Sequence, residues 1–253
     1  MELINREDVT DHLIIVTGAG SGIGRAIATH LLGKGAVIAA CDKNLEALQD
    51  LKNEQNNSHL HIFEIDFLSE KSINNCVKAI ESELGSIQGA VNCVGILGEN
   101  GQKAEDVDIA NFDLVYQINL RGALIFTKSL LKGMSARGYG RILHLASISG
   151  KDGNPLLVSY SATKAGLIGM VKSIGKEYAT SGITINAMAP ALIDTPILNG
   201  FSNSTLAGLK AKIPMNRFGT VSEVADLATW IISPACSFTT GFAFDLSGGR
   251  AVY

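Results

Sequence analysis

Tyr160 and Lys164 stand four residues apart, with Ser147 upstream in the same stretch. On a helix a spacing of four puts both side chains on one face, so the ammonium can approach the phenol. A nearby cation favours phenolate and draws a tyrosine pKa down from about 10. The spacing therefore predicts a Tyr160 phenol tuned to exchange a proton with an alcohol or carbonyl near neutral pH. The Ser147 hydroxyl is placed to hold the same oxygen. This is the proton half of a hydride transfer.

The hydride half needs a carrier. Thr17-Gly18-Ala19-Gly20-Ser21-Gly22-Ile23-Gly24 lies between an apolar run and a helical pattern. A glycine turn lets the backbone approach a pyrophosphate, and the N-terminus of the following helix offers it free N–H groups. The spacing is TGxxxGxG, through Gly18, Gly22 and Gly24, rather than GxGxxG. Asp42 closes the next apolar run, about 20 residues beyond the loop, where a ribose 2′-hydroxyl is normally bound. A carboxylate there accepts from the hydroxyl and repels a 2′-phosphate, which favours NAD over NADP. Ser21 places no cation before Gly22, although Lys43 adjoins the acid.

These residues need a scaffold, and the pattern supplies one. Seven short apolar runs read as strands: His12–Thr17, Ala36–Cys41, His59–Ile65, Ile87–Val94, Arg141–Ala146, Ile183–Met188 and Phe242–Leu246. They are nearly continuous in apolar character, as strands buried on both faces are. Helical patterns fall between them near 22–33, 44–55, 69–84, 111–136, 156–180 and 221–232, with Pro155 opening the fifth. The alternation implies an α/β domain with a parallel sheet and helices on both faces. Residues 1–253 read as one domain, without an evident linker or repeat.

Composition narrows the class further. A chain of 253 residues with 46% hydrophobic content can bury one large core. A net charge of -3 gives no electrostatic case for nucleic acid or an anionic membrane. The opening segment, MELINREDVTDH, lacks the apolar core of a secretion signal. No apolar run approaches the roughly 18 residues of a membrane span. Cys41, Cys76, Cys93 and Cys236 are scattered without a CxxC pair, which fits small buried hydrophobes better than zinc or disulfides. The five histidines (His12, His30, His59, His61 and His144) show no metal-ligand spacing and read as structural, so no metal is expected. A soluble cytoplasmic protein is expected.

Glycine loop, acid, serine, tyrosine and lysine, in that order, resemble the short-chain dehydrogenase/reductase family over essentially the whole chain. The resemblance implies a Rossmann-like doubly wound domain with a seven-stranded parallel sheet. Asn92-Cys93-Val94-Gly95 resembles the family's NNAG segment and departs from it at Cys93 and Val94. By the same resemblance Asp66 meets the adenine amino group. Asn119, in Tyr116-Gln117-Ile118-Asn119-Leu120-Arg121-Gly122, completes a tetrad with Ser147, Tyr160 and Lys164. Pro190-Ala191 stands where the family usually has Pro-Gly, before Ile193 and Thr195 beside the nicotinamide. The cofactor set is thus Gly18, Ser21, Gly22, Ile23, Gly24, Asp42, Asp66, Asn92, Gly95, Tyr160, Lys164, Pro190, Ile193 and Thr195, with NAD as the expected cofactor.

The substrate is less determined, because one fold and one tetrad serve many alcohols. The long connection 192–217 reads as a lid. Gly150–Pro155 and Asp245–Tyr253 resemble family members that oxidise 2-keto-3-deoxy sugar acids, whose carboxylate would suit Lys151 or Arg250. Substrate contacts are accordingly expected from Ser147, Lys151, Tyr160 and Arg250. The closing residues are expected to dock, with Arg250 or Tyr253 near a substrate pocket of this or a neighbouring protomer. An NADPH-dependent 3-oxoacyl-carrier-protein reductase is the alternative, and Asp42 speaks against it. A non-catalytic NAD-binding sensor would be expected to have lost a tetrad member, and none is lost. By resemblance the chain forms a homotetramer or homodimer through the helices near 111–136 and 156–180.

Overall fold

The structure, a computed structural model, describes residues 7–200, 202–251 and 253, without the side chains at 197 and 199. Its sheet is built from β1 (Leu13–Thr17), β2 (Val37–Asp42), β3 (Leu60–Glu64), β4 (Gly89–Asn92), β5 (Gly140–Leu145), β6 (Ile183–Pro190) and β7 (Ala243–Leu246). All pairings are parallel and the order is β3-β2-β1-β4-β5-β6-β7. The α-helices are α1 (Gly22–Gly33), α2 (Leu45–Gln55), α3 (Glu70–Leu84), α4 (Ile109–Tyr116), α5 (Ala123–Arg137), α6 (Ser149–Asp152), α7 (Val158–Glu177), α8 (Asn203–Lys210) and α9 (Val221–Ile232).

Alternate residues of each strand feed opposite cores. Leu13 and Ile15 of β1 join the cluster that includes α3, α5 and α7. Ile14 and Val16 join the one that includes α1, α2 and α9. Two apolar layers around one sheet explain why the strands read as unbroken apolar runs. Side-chain caps start several helices: Asn44 accepts from Ala47 N–H, Ser69 from Ser72, and Asp108 from Ala110 and Asn111. Thr220 and Glu223 close a reciprocal capping box on α9.

The chain lays β2 and β3 on one side of β1, then returns β4 to the other side, with Thr17 level with Asn92. This reversal opens a crevice beyond the carboxyl ends of β1 and β4, the standard ligand position of such sheets.

Three expectations need correction. The pattern over 111–136 is not one helix: α4 and α5 are separated by a π-helical turn, Gln117–Gly122. Pro155 does not open a helix. It sits in a turn, Leu156 adopts a left-handed φ of 65°, and α7 begins only at Val158. The strand expected over 87–94 is confined to Gly89–Asn92. The segment between β6 and α9 contains a 3-10 turn, Pro196–Gly200, and α8. Cys41, Cys76 and Cys236 are buried, and Cys93 is partly so. Cys41 Sγ lies 3.9 Å from Cys76 Sγ, and burial pushes its thiol pKa well above the ordinary value, so it is an inert core group. Among the described residues, no helix is long and apolar enough to cross a membrane.

Candidate active site

The glycine turn after β1 is shaped by backbone that tolerates no side chain. Gly18 has φ 70°, and a Cβ there would lie 3.2 Å from the Cys93 carbonyl carbon. A Cβ at Gly24 would overlap the Gly18 carbonyl. Gly22, at φ 51°, faces open space. Arg25 N–H bonds back to the Ser21 carbonyl, and the N–H groups before it in the first turn of α1 have no intrahelical carbonyl to meet.

Asp42 ends β2 opposite this turn. Its Oδ2 accepts from Gly20 N–H at 3.0 Å and its Oδ1 from Asn44 N–H at 3.0 Å. The carboxylate is fixed, and each oxygen keeps a lone pair for a further donor. Asp66 follows β3, its Oδ1 accepting from Leu68 N–H and its own N–H donating to Ser72 Oγ. A glycine cradle, a helix N-terminus and a fixed acid at the next strand end fit a nicotinamide dinucleotide.

At the ends of β4 and β5 the four predicted tetrad residues converge. α7 brings Tyr160 and Lys164 to one face, with Lys164 Nζ 5.6 Å from the phenol ring centre. That ammonium donates to the Leu145 carbonyl at 2.6 Å and is almost fully buried, which lowers its pKa to about 8. Asn119 Oδ1 accepts from Ile96 N–H at 2.8 Å, while its Nδ2 donates to the Ile96 carbonyl at 2.9 Å and Thr163 Oγ1 at 3.2 Å. Gly95 leaves room for the pair: a Cβ there would stand 3.1 Å from Lys164 Nζ and 3.3 Å from Asn119 Oδ1. The π turn carries Asn119 into this contact, and such turns commonly mark functional positions.

The phenol differs from expectation. Burial raises the Tyr160 pKa, and the opposing influence is its hydrogen bond with the Ser147 hydroxyl. Lys164 does not lower it, because the ammonium is turned to the Leu145 carbonyl and held away from the phenol. In the chain alone, desolvation outweighs the Ser147 hydrogen bond.

Other residues expected to make contacts also bond within the protein. Asn92 is buried, its Oδ1 accepting from Thr17 Oγ1 and Val94 N–H and its Nδ2 facing His144 Nδ1, so its amide braces the crevice from behind. Ile193 is buried and bridges to Gly219, and Pro190 accepts from Ile148 N–H. Thr195 accepts at its carbonyl from Leu198 N–H. Lys151 is no spare cation: its Nζ donates to both Asp245 oxygens, at 2.9 and 2.7 Å, and to the Tyr253 main-chain oxygen, beneath the Tyr253 ring. Arg250 pairs with Asp152 at 3.6 Å and donates to Asn154 at 2.7 Å. Arg250 and Tyr253 thus dock on the turn after Ser147 of their own chain; Val252 lies outside the described residues.

Sequence reasoning read His144 as structural and gave it no place at the site; the structure puts it in the wall behind the site. Its Nε2 meets Thr127 Oγ1 at 3.0 Å and its Nδ1 meets Asn92 Nδ2 at 3.2 Å. The one signal was a histidine following the apolar Ile142 and Leu143 of β5. Thr163, between Tyr160 and Lys164, was also missed, and its hydroxyl ties Asn119 to the Tyr160 carbonyl.

Known proteins are similar to this chain over nearly its whole length. A family model described as enoyl-(acyl carrier protein) reductase matches residues 18–250. The chain is 37% identical to a 2-dehydro-3-deoxy-L-rhamnonate dehydrogenase (NAD(+)) of Sphingomonas sp. (strain SKA58), over 94% of this chain and 95% of that protein. It is 34% identical to a 3-oxoacyl-(acyl-carrier-protein) reductase of Aquifex aeolicus (strain VF5), over 93% and 95% of the two. A crystal structure of a variant actinorhodin polyketide ketoreductase with NADPH superposes with a TM-score of 0.90 at 31% identity, covering 96% of this chain and 98% of that one. With the sheet order, the glycine turn and the Ser147-Tyr160-Lys164 cluster, this makes the chain a member of the short-chain dehydrogenase/reductase family, an oxidoreductase acting on CH–OH groups.

Proposed function

We propose that the protein is an NAD(H)-dependent dehydrogenase of polar secondary alcohols, with 2-keto-3-deoxy sugar acids as its substrate class. The observation that carries the cofactor assignment is Asp42, fixed by Gly20 and Asn44 at the end of β2. A carboxylate there suits a ribose hydroxyl and opposes a 2′-phosphate. The substrate class rests on similarity to the Sphingomonas dehydrogenase. Lys151 and Arg250, expected as its carboxylate ligands, are paired within the chain with Asp245 and with Asp152 and Asn154.

In the direction of oxidation, the Ser147 and Tyr160 hydroxyls hold the substrate oxygen, and Tyr160, ionised, takes the hydroxyl proton. Bound NAD supplies the hydride acceptor. Ser147 favours the phenolate through its hydrogen bond. Lys164, with a pKa of about 8, remains mostly ammonium at neutrality and stands beside Asn119. Reduction follows the same path reversed. The segment 192–217 covers the substrate: Leu198 and Ile213 anchor it, whereas α8 buries none of its residues.

The test is a panel of sugar acids, hydroxy acids, simple alcohols and 3-oxoacyl thioesters assayed with NAD(H) and NADP(H). Turnover of a sugar acid with NAD+ supports the reading. Preferential use of NADPH on a 3-oxoacyl thioester overturns it. Asp42→Ala is expected to weaken NAD binding and relax exclusion of NADP by about tenfold each, as loss of one charge-assisted hydrogen bond and one repulsion implies. Titration of both nucleotides against the variant checks this, and an unchanged ratio of affinities counts against Asp42.

The protein is also proposed to form a homodimer or homotetramer through the helices over 109–137 and 158–177. Leu114, Tyr116, Leu124 and Val158 are exposed there, and so are Ala162, Ala165 and Gly169 of α7. Gly166 of the same stripe instead packs on Leu120 within the chain. An apolar face on helices already packed on the sheet calls for a second partner. Light scattering should give a dimer or tetramer at working concentration, and a stable monomer refutes the assignment.

A further inference from the structure

Between Ser147 and Tyr160 the chain makes α6 and a turn, and the shape of that turn decides how the two hydroxyls face each other. The turn does not hold itself. Leu156 sits at a left-handed φ of 65° and is 48% exposed, a costly conformation that needs outside support.

Asn154 provides it. Its main-chain N–H donates to Ser161 Oγ at 3.1 Å, beside Tyr160, and its Nδ2 donates to Ser149 Oγ at 2.6 Å. Ser149 N–H in turn donates to Ser147 Oγ at 3.1 Å. One lone pair of the catalytic serine is thereby fixed and its hydrogen is left to donate elsewhere. The remaining polar atom of the amide, Oδ1, accepts from Arg250 Nη2 at 2.7 Å. The same guanidinium places Nε 3.6 Å from Asp152 Oδ2 and is 11% exposed, so it grips the turn on both sides.

Arg250 is itself fixed from behind. Its N–H donates to the Ser247 carbonyl at 3.2 Å, and Met215 N–H donates to the Gly248 carbonyl at 3.1 Å. A Cβ on Gly248 would lie 2.7 Å from Ile213 Cγ2, and one on Gly249 would lie 3.2 Å from Pro214 Cβ. Both glycines have positive φ, so the strap lies flush on 213–215 only because neither has a side chain.

We infer that Arg250 and Asn154 are positioning residues: Arg250 sets Asn154, Asn154 sets Ser149, and Ser149 orients the Ser147 hydroxyl toward Tyr160. The relay takes its place from the 192–217 segment through Gly248 and Gly249, so the seating of that segment reaches the serine. It transfers no proton. The inference rests on the dehydrogenase reading only for its effect on turnover. Its effect on the phenol needs neither substrate nor cofactor, since the Ser147 hydrogen bond is what favours tyrosinate.

The experiment titrates the phenol by ultraviolet absorbance, subtracting the curve of Tyr160→Phe from that of the full-length protein and of each variant. Asn154→Ala and Arg250→Ala are each expected to move the Tyr160 midpoint upward by about half a pH unit or more. Arg250→Lys keeps the charge facing Asp152 but cannot present a two-pronged donor, so its shift should be smaller. On an active substrate, kcat should fall about 10- to 100-fold, with the NAD(H) dissociation constant unchanged. The double variant should be no worse than the worse single one, because both act through one path. Unchanged phenol midpoints in both alanine variants overturn the inference, whatever happens to kcat. A wild-type enzyme inactive on the whole panel sinks the dehydrogenase reading, and the titration still decides the relay.

Discussion

Tyr160→Phe is expected to bind NAD(H) as the wild type does and to lose turnover by about 10²- to 10⁴-fold, the range that positioned acid–base groups supply. The ring stays in place on α7, and only the oxygen proposed to take the alcohol proton is gone. The deficit should therefore appear in kcat, with the nucleotide dissociation constant unmoved. The wild-type pH profile carries the same signature. Oxidation requires the phenolate, and burial holds the Tyr160 pKa up. Oxidation should thus accelerate as pH rises through the alkaline side of neutrality, whereas reduction, which needs the phenol, should slow. Steady-state kinetics in both directions, with nucleotide binding followed by fluorescence, checks the set. Comparable turnover in the variant removes the mechanism.

The second large effect concerns stability in acid. Thr127 Oγ1 donates to the Ala123 carbonyl at 2.8 Å, so toward His144 Nε2 it accepts, which assigns the ring proton to Nε2. The Nδ1 atom then accepts from Asn92 Nδ2. Only the neutral ring satisfies both neighbours, since a second proton would face the amide donor. Burial, reinforced by the Lys164 charge, pushes the His144 pKa down to about 3. The folded value lies below the unfolded one, so the unfolded chain takes up a proton first as pH falls. The contribution is complete above about pH 6.5 and is lost progressively toward pH 3. Its full size is on the order of 5 kcal/mol, about 1.4 kcal/mol for each pH unit. His12 and His61 are shifted the same way by burial, so the whole-protein slope is not His144 alone. His144→Gln isolates it: the variant should lose about 1–3 kcal/mol at pH 7 and show a shallower fall in stability between pH 6 and 4.5. Urea denaturation across that range decides, and an unchanged slope means His144 is not held neutral.

Much of this architecture is legible in the residues themselves. The strands announce themselves because two cores load both faces of each, leaving runs such as Leu13–Thr17 without polar interruption. Asp42 and the glycine turn are readable because their roles depend on local backbone and on distance along one βαβ unit. What stays hidden depends on partners far away in sequence. Lys151 and Arg250 look like free cations until Asp245, Asp152 and Asn154 are seen beside them. The pKa of Tyr160 cannot be read from a spacing of four, because the direction in which Lys164 points is set by the Leu145 carbonyl of a different element. Leu156 gives no sign of its left-handed backbone, since neither glycine nor asparagine stands there. His144 is indistinguishable from any core histidine until Asn92 and Thr127 close around it.

The wide turn between α4 and α5 sets a constraint of a different kind. A regular helix advances about 100° per residue, and a π turn accommodates one extra residue without advancing the helices beyond it. Removing a single residue from Gln117–Gly122 would let the ladder close into ordinary α-helix. α4 and α5 would then keep their relative phase, but the bulge would be lost and Asn119 would leave the place between Ile96 and Thr163. At this point of the chain the number of residues is under as strict a requirement as their identity. Substitutions around Asn119 can be absorbed one side chain at a time, but a change in length cannot.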